Sequence, residues 1–283
     1  MRFRHLTLLV TSAGVIAGLL GIGYTGFRNA TSVPIERRAI VNVADLPKGT
    51  KPVRIALLSD IHVGNIGMRP ERLAGIVQAV NAASPDIVML AGDFVVGEHK
   101  EGTAGRAMNL AALAKLRAPA GVFAVLGNHD HWTDPDAIRR TLAQAGVQVL
   151  ENTAVRRGPL ALVGIGDRFS GHDDIAHAVA RADALGGIPV AFTHSPDLAP
   201  DLPARLHILL AGHTHCGQVV APLIGPIVRY SRGRRLYDPK YRCGRVEYMA
   251  RVTFVTAGVG SGTLPLRLNA MPDWWLITVR PGA

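Results

Sequence analysis

Five short apolar runs in this chain each end in a residue able to ligate a metal, and that recurrence constrains the fold more than any other feature. Val53-Arg54-Ile55-Ala56-Leu57-Leu58 leads through Ser59 to Asp60 and His62. Ile87-Val88-Met89-Leu90 leads through Ala91 and Gly92 to Asp93. Residues 122–126 lead through Gly127 to Asn128, His129 and Asp130; residues 188–192 lead to His194; residues 206–210 lead to His213 and His215. The runs are partly β-branched and apolar at successive positions, as in strands buried on both faces of a sheet. Helical spacing separates them, first at Leu73, Ile76, Val77 and Val80 behind Pro70, then at Leu110, Leu113 and Leu116, at Ile138, Leu142 and Ala145, and at Ile175, Val179 and Ala182. After residue 217 the helical signal fades, and residues 252–256 and 274–279 read as further strands. The expected fold is α/β, a four-layer αββα sandwich of two mixed sheets flanked by helices.

Ligands in α/β sheets bind at the carboxyl ends of strands. Five strands with such residues at that end therefore converge on one crevice. Side chains two apart on extended backbone face the same way, so Asp60 and His62 are expected to grip one ion. His213 and His215 are expected to share a centre, with Thr214 turned away. Gly92, Gly127 and Gly212 keep the backbone small beside them. The mixture of carboxylate, imidazole and amide suits Mn, Fe, Zn, Ni or Co rather than calcium. Two such ions about 3.5–4 Å apart clamp the attacking and leaving oxygens of an in-line displacement.

The ordered series Asp60-x-His62, Gly92-Asp93, Gly127-Asn128-His129-Asp130, His194 and Gly212-His213-x-His215 resembles the calcineurin-like metallophosphoesterase family over roughly residues 53–280. Single motifs are weak; the ordered set is specific. Residues 192–197, residues 212–219 and the late stretch from Gly258 to Pro265 resemble a membrane-anchored bacterial branch. The resemblance implies that Asp60, His62 and His215 hold one metal, that Asn128, His194 and His213 hold a second, and that Asp93 bridges them. It implies that a hydroxide shared by the metals attacks phosphorus. His129 then serves the leaving oxygen, with Asp130 orienting its ring. Many relatives carry a further acidic residue three after the bridging aspartate; Val96 stands there, which argues against a protein-phosphatase-like branch.

Residues 6–27 contain no charge across 22 positions, about the length that spans a bilayer. Arg2 and Arg4 precede the stretch and Arg28 follows it, with no clean cleavage site behind, so an uncleaved anchor is favoured over a cleaved signal. The expected division is an anchor over residues 1–30, a linker over 31–51 containing Pro34, Pro47 and Gly49, and one catalytic domain over 52–283. Apolar residues make up 48% of the 283, enough for a sizeable core. The expected location is a bacterial inner membrane, crossed once, with the catalytic domain exported. The formal charge of +10 is local. Residues 229–251 alone hold eight basic residues against Asp238 and Glu247. Such a segment is either a solvated loop or an attractor of anionic lipid or phosphorylated substrate. It lacks an aromatic stacking pattern, so a nuclease ranks lower and nucleic acid is not an expected partner.

Other residues carry less. Cys216 and Cys243 are able to pair in an oxidising compartment, which the sequence does not decide. His131 reads as a surface histidine. Gly258 to Gly262 is able to cradle phosphate through backbone amides, and Arg267 then reaches the substrate. The leading expectation is a monomeric metal-dependent hydrolase of phosphate mono- or diesters acting on a phosphorylated, lipid-linked substrate. The resemblance also suggests a UDP-2,3-diacylglucosamine-type pyrophosphate hydrolase, although that reaction needs cytosolic access. A non-catalytic membrane-tethered binding protein is the alternative of another class.

Overall fold

The computed structural model describes residues 2–282, with the backbone alone described for residues 2–11 and 13. The strands run in chain order as β1 (Ile35–Val43), β2 (Val53–Leu58), β3 (Ile87–Ala91), β4 (Val122–Val125), β5 (Val147–Val149), β6 (Thr153–Arg157), β7 (Leu160–Gly164), β8 (Ile188–Phe192) and β9 (Ile208–Ala211). Two small hairpins follow, β10 (Val220–Ala221) with β11 (Gly225–Pro226) and β12 (Tyr230–Ser231) with β13 (Arg234–Arg235), then β14 (Gly244–Tyr248), β15 (Arg251–Val255) and β16 (Asp273–Pro281). The helices are α1 (Arg2–Ala30), α2 (Pro70–Ala82), α3 (Thr103–Ala107), α4 (Asn128–Trp132), α5 (Pro135–Gln144) and α6 (Ile175–Leu185).

Two six-stranded mixed sheets result, in the orders β1-β16-β2-β3-β4-β5 and β14-β15-β9-β8-β7-β6. Alternation along each strand divides the apolar residues between layers. Ile55, Leu57, Met89, Phe123 and Val125 of the first sheet meet Leu162, Val190, Phe192, Leu210 and Phe254 of the second. Their neighbours Ala56, Leu58, Val88 and Leu90 face outward onto Leu73, Ile76, Val77 and Val80 of α2 and onto Ile138 and Leu142 of α5. Val163, Ala191 and Leu209 face Ala178, Val179 and Ala182 of α6. Each Leu, Ile, Val, Met or Phe among them, fully buried, contributes about 1.5–3 kcal/mol. Pro70 begins α2 at a first-turn position that needs no amide proton, so the apolar stripe enters the helix in register.

Residues 31–51 are not a free linker. They contain β1, a nine-residue strand paired in parallel with β16 from Ile35↔Asp273 to Val43↔Pro281. Val41 and Val43 are buried between the sheets while Ile40 is exposed. The prolines and the glycine that suggested a linker lie outside the strand, which begins after Pro34 and ends before Pro47. The apolar stretch 6–27 lies within α1, where Val15, Ile16, Leu19, Leu20 and Ile22 are exposed. The side chains of residues 6–11 and 13 lie outside the described residues. Among the described residues no helix is long and apolar enough to cross a membrane.

Candidate metal centre

The loops after β2, β3, β4, β8 and β9 meet at one end of the two sheets. Backbone hydrogen bonds lock them together: Asp60 N donates to Gly92 O at 2.9 Å, His62 N to Asp93 O at 3.0 Å, and Gly212 N to His194 O at 3.0 Å. Convergence does not come from strand alternation, as the spacing of Asp60 and His62 and of His213 and His215 suggested. Asp60, His62, Asp93, His213 and His215 all hold φ between +48° and +70°, the left-handed region, which costs a non-glycine residue roughly 1–3 kcal/mol. Each side chain is thereby turned inward by a strained backbone that the neighbouring loops hold in place. Two glycines permit the close approach. A Cβ on Gly212 would fall 1.8 Å from Ser59 Oγ, and one on Gly258 would fall 2.5 Å from Asp60 Cβ.

Asp60, His62 and His215 bring one ligand atom each within 4.8 Å of one another, as do Asp60, Asp93 and His194. Asp93 Oδ2 lies 3.5 Å from His62 Nε2 and 3.3 Å from His194 Nε2, between the two groups. Asn128 is buried, and among the described residues its Oδ1 has no hydrogen-bond partner, nor has Asp60 Oδ1, which lies 3.3 Å from His215 Nε2. Two bare buried oxygens are costly unless a cation meets them. The imidazoles give the same indication. His194 Nδ1 donates to Ala91 O at 2.7 Å, and His213 Nε2 donates to Leu236 O at 2.8 Å. The remaining nitrogens, His194 Nε2 and His213 Nδ1, face each other at 3.3 Å, and His62 Nε2 lies 3.2 Å from His215 Nε2. Each pair is satisfied either by one shared proton or by a metal ion. The donor set therefore fits borderline divalent cations.

Charge states agree. Burial, then the charge on His194, pushes His213 down to about 4. Burial pushes His62 down to about 3. Neutral imidazole is the ligating form. Burial raises the Asp60 carboxyl to about 6, against the pull of His194. Burial would raise Asp93 as well, but His194, His129 and His62 hold it well below the usual range. Burial would lower His194, but the Asp93 carboxylate pushes it well above the usual imidazole range.

Four sequence-based readings change. Asp130 does not orient the His129 ring. Its carboxylate accepts from the backbone amides of Asp93 at 2.8 Å, Phe94 at 2.8 Å, Val95 at 3.3 Å and Gly127 at 2.9 Å. Asp130 thus fastens the loop that carries Asp93 to the start of α4. Burial and the Asp93 charge push it up to about 7, against the Gly127 amide. His129 is instead held by Gly97, whose carbonyl accepts from Nδ1 at 2.6 Å. Arg267 does not reach substrate. It is wholly buried, and its guanidinium bonds the carbonyls of Gly260, Ala257 and Ala270 and lies 3.1 Å from His215 Nδ1. Gly258 and Gly260 accordingly wrap an arginine and pack on the back of Asp60 rather than facing a phosphate. His131 is no surface residue either: its side chain meets Glu151 at 3.1 Å and stacks on His172.

A cavity of about 280 Å³ opens above the ligands, floored by Asp93, Asn128, His129, His213 and His215. Its walls are Trp132, Phe169, Val228, Leu236, Tyr237 and Leu264. Phe169 packs on His213 with ring centroids 4.7 Å apart, and Arg232 lies 3.9 Å over the Trp132 ring. Sequence reading missed these walls. Leu236 and Gly97 act through backbone carbonyls, which leave no residue-type signal, and Phe169 carries no spacing that ties it to a histidine 44 positions away.

This chain is similar to several known proteins. It is 26% identical over 279 residues to the uncharacterized metallophosphoesterase YkuE of Bacillus subtilis (strain 168), covering 95% of this chain and 93% of that one. It is 29% identical over 285 residues to the phosphodiesterase YaeI of Escherichia coli (strain K12), covering 94% and 95%. It is 29% identical over 289 residues to a transmembrane protein with metallophosphoesterase domain of Danio rerio, covering 95% of this chain and 60% of that one. Residues 53–217, more than half the chain and all seven converging side chains among them, match the family model of the calcineurin-like phosphoesterases; the protein belongs to that family and is a hydrolase of phosphoric ester bonds.

Proposed function

We propose that the protein hydrolyses phosphate mono- or diesters at a dinuclear centre and that its substrate is lipid-linked. Asp60, His62 and His215 would hold one divalent ion, Asn128, His194 and His213 the other, with Asp93 between them. The observation that carries this is the pair of bare buried oxygens, Asp60 Oδ1 and Asn128 Oδ1, beside imidazole nitrogens that face one another at 3.2 and 3.3 Å. Divalent ions in such a place supply Lewis-acid charge to the phosphate and lower the pKa of water. His129, whose Nδ1 is committed to Gly97, presents Nε2 to the cavity and handles the proton of the leaving oxygen. Trp132, Phe169 and Leu236 exclude water and accept an apolar part of the substrate. Elemental analysis after reconstitution with Mn²⁺ is expected to give two ions per chain, and an aryl phosphodiester or monoester is expected to be cleaved. One ion per chain would refute the dinuclear reading, and no hydrolysis with any first-row metal would refute catalysis at this centre. His129→Ala is expected to keep both ions and lower kcat by about 10²–10⁴; unchanged turnover would remove its assigned role.

The membrane reading rests on the uncharged stretch 6–27 and the exposed apolar residues of α1, and a transmembrane relative supports it. The disulfide between Cys216 and Cys243 favours an oxidising compartment, hence an exported catalytic domain. Release of the full chain from membranes by alkaline carbonate would count against the anchor.

A further inference from the structure

The segment between the last histidine of the centre and β14 carries a feature that hydrolysis does not use. β10 and β11 form a hairpin whose turn is residues 222–224. Leu223 at its tip is fully exposed, and Ile224, Ile227 and Val228 are exposed beside it. Leu223 holds φ +64°, a conformation that is costly for a bulky side chain and that glycine or asparagine adopts readily. A turn that only reversed the chain would have no need of a strained, solvent-facing leucine.

Arg229, Arg232, Arg234 and Arg235 follow directly, all exposed. Among the described residues only Arg232 of these four meets a carboxylate, Glu98 at 2.7 Å. Arg229 bonds the carbonyls of Ile224 and Pro226, which fixes a guanidinium against the apolar tip. An apolar tip with a collar of arginines, three of the four without a carboxylate partner among the described residues, matches the depth profile of a bilayer with anionic headgroups.

The hairpin is also tied to the root of α1. Val220 N donates to Leu268 O at 2.9 Å and Gln218 Nε2 to Leu264 O at 2.9 Å. Arg267 N donates to Gly26 O at 2.9 Å, and Asn29 Nδ2 to Arg267 O at 3.1 Å. Residues 264–268 thus join the last turns of α1 to the base of the hairpin, with Leu264 exposed between them. Val228 and Leu264 belong to the wall of the catalytic cavity as well.

We propose that residues 223–228 and Leu264 form a second membrane contact, in which the apolar tip enters the interface of an anionic bilayer and the arginine collar meets lipid phosphates. The cavity mouth then lies at headgroup depth and receives the phosphoester of an amphiphile directly from the bilayer. This deepens the hydrolase reading above and rests on it for the substrate, though not for the docking.

The test separates the two. Full-length protein carrying Ile224→Trp is reconstituted into vesicles of acyl-brominated phosphatidylcholine, with and without phosphatidylglycerol. Its emission is expected to be quenched well beyond that of the unsubstituted chain, and more strongly with phosphatidylglycerol present. No added quenching would overturn the docking, and equal quenching in neutral vesicles would overturn the role of the arginines. Leu223→Asn, which suits the turn, is expected to slow cleavage of a vesicle-embedded phosphodiester about tenfold while leaving cleavage of a soluble aryl phosphodiester unchanged. Equal effects on both substrates would overturn the proposal. So would a dimer in sedimentation that Leu223→Asn disperses, because the tip would then be an interface between copies. If the unsubstituted chain cleaves neither substrate, the hydrolase reading fails while the quenching still decides the docking.

Discussion

Arg267 sits wholly inside the protein with its guanidinium shared among five carbonyls, those of His215, Ala257, Gly258, Gly260 and Ala270. Burial pushes its pKa down only to about 10, so it stays charged at neutral pH and holds the loop 257–270 against the back of His215. Arg267→Met would leave those carbonyls without a donor, at about 1–3 kcal/mol for each group left bare. The variant is expected to lose about 3 kcal/mol or more in urea denaturation, and an unchanged midpoint would contradict the role. Glu151 is a cleaner case for pH. Burial alone would raise it, but His131 at 3.1 Å and the bonds from Arg139 hold its carboxyl below the ordinary 4.5. A carboxyl lowered in the folded state stabilises above its unfolded value, and that contribution fades as pH falls through the folded one. Glu151→Gln should therefore cost about 1 kcal/mol near pH 7 and much less near pH 3. Urea titrations of both proteins at the two pH values check the sign.

At the scale of elements, the strand β1 has the most to add. It covers β16, which would otherwise be the edge of the first sheet, and it places Val41 in the layer between the sheets. Alternation makes a sharp test. Val41→Asp puts an unpaired charge in that layer and is expected to destabilise by about 3 kcal/mol or more. Ile40→Asp, one position away on the exposed face, should change stability by only about 0.5 kcal/mol. Equal effects in thermal denaturation would mean that residues 35–43 are not paired as a strand. The other elements follow their apolar periods closely: the runs at 53–58, 87–90, 122–126 and 188–192 coincide with β2, β3, β4 and β8 to within a residue. β6 and β7 escaped because Thr153–Arg157 is a half-polar outer strand and the glycines and aspartate that follow read as a turn.

At the scale of the whole molecule, the disulfide from Cys216 to Cys243 closes a loop with a sequence separation of 27. That loop carries the apolar tip, the arginine collar and the Leu236 carbonyl that receives the His213 proton. It joins the loop of His213 and His215 to the start of β14, so the candidate centre and the arginine-rich segment are braced by one bond. Replacing both cysteines by serine is expected to lower stability by about 3 kcal/mol and to speed metal loss to a chelator. A melting temperature indifferent to reductant in the unsubstituted protein would show that the bond does not form.

Identity and order of the candidate ligand residues were legible in the sequence, because short apolar runs specify strands and the residues at their ends need no tertiary information to be recognised as possible donors. The seven side chains that converge were all readable in that way. What aims them was not. Asp60, His62, Asp93, His213 and His215 point inward through left-handed backbone, held by hydrogen bonds between loops far apart in the chain. Asp130 and Arg267 act on backbone groups that carry no residue identity, so their work as clamps becomes visible only once those groups are placed. Sequence alone determined which atoms are able to bind a metal; only the tertiary structure decided which backbone strains, carbonyls and buried charges bring those atoms together.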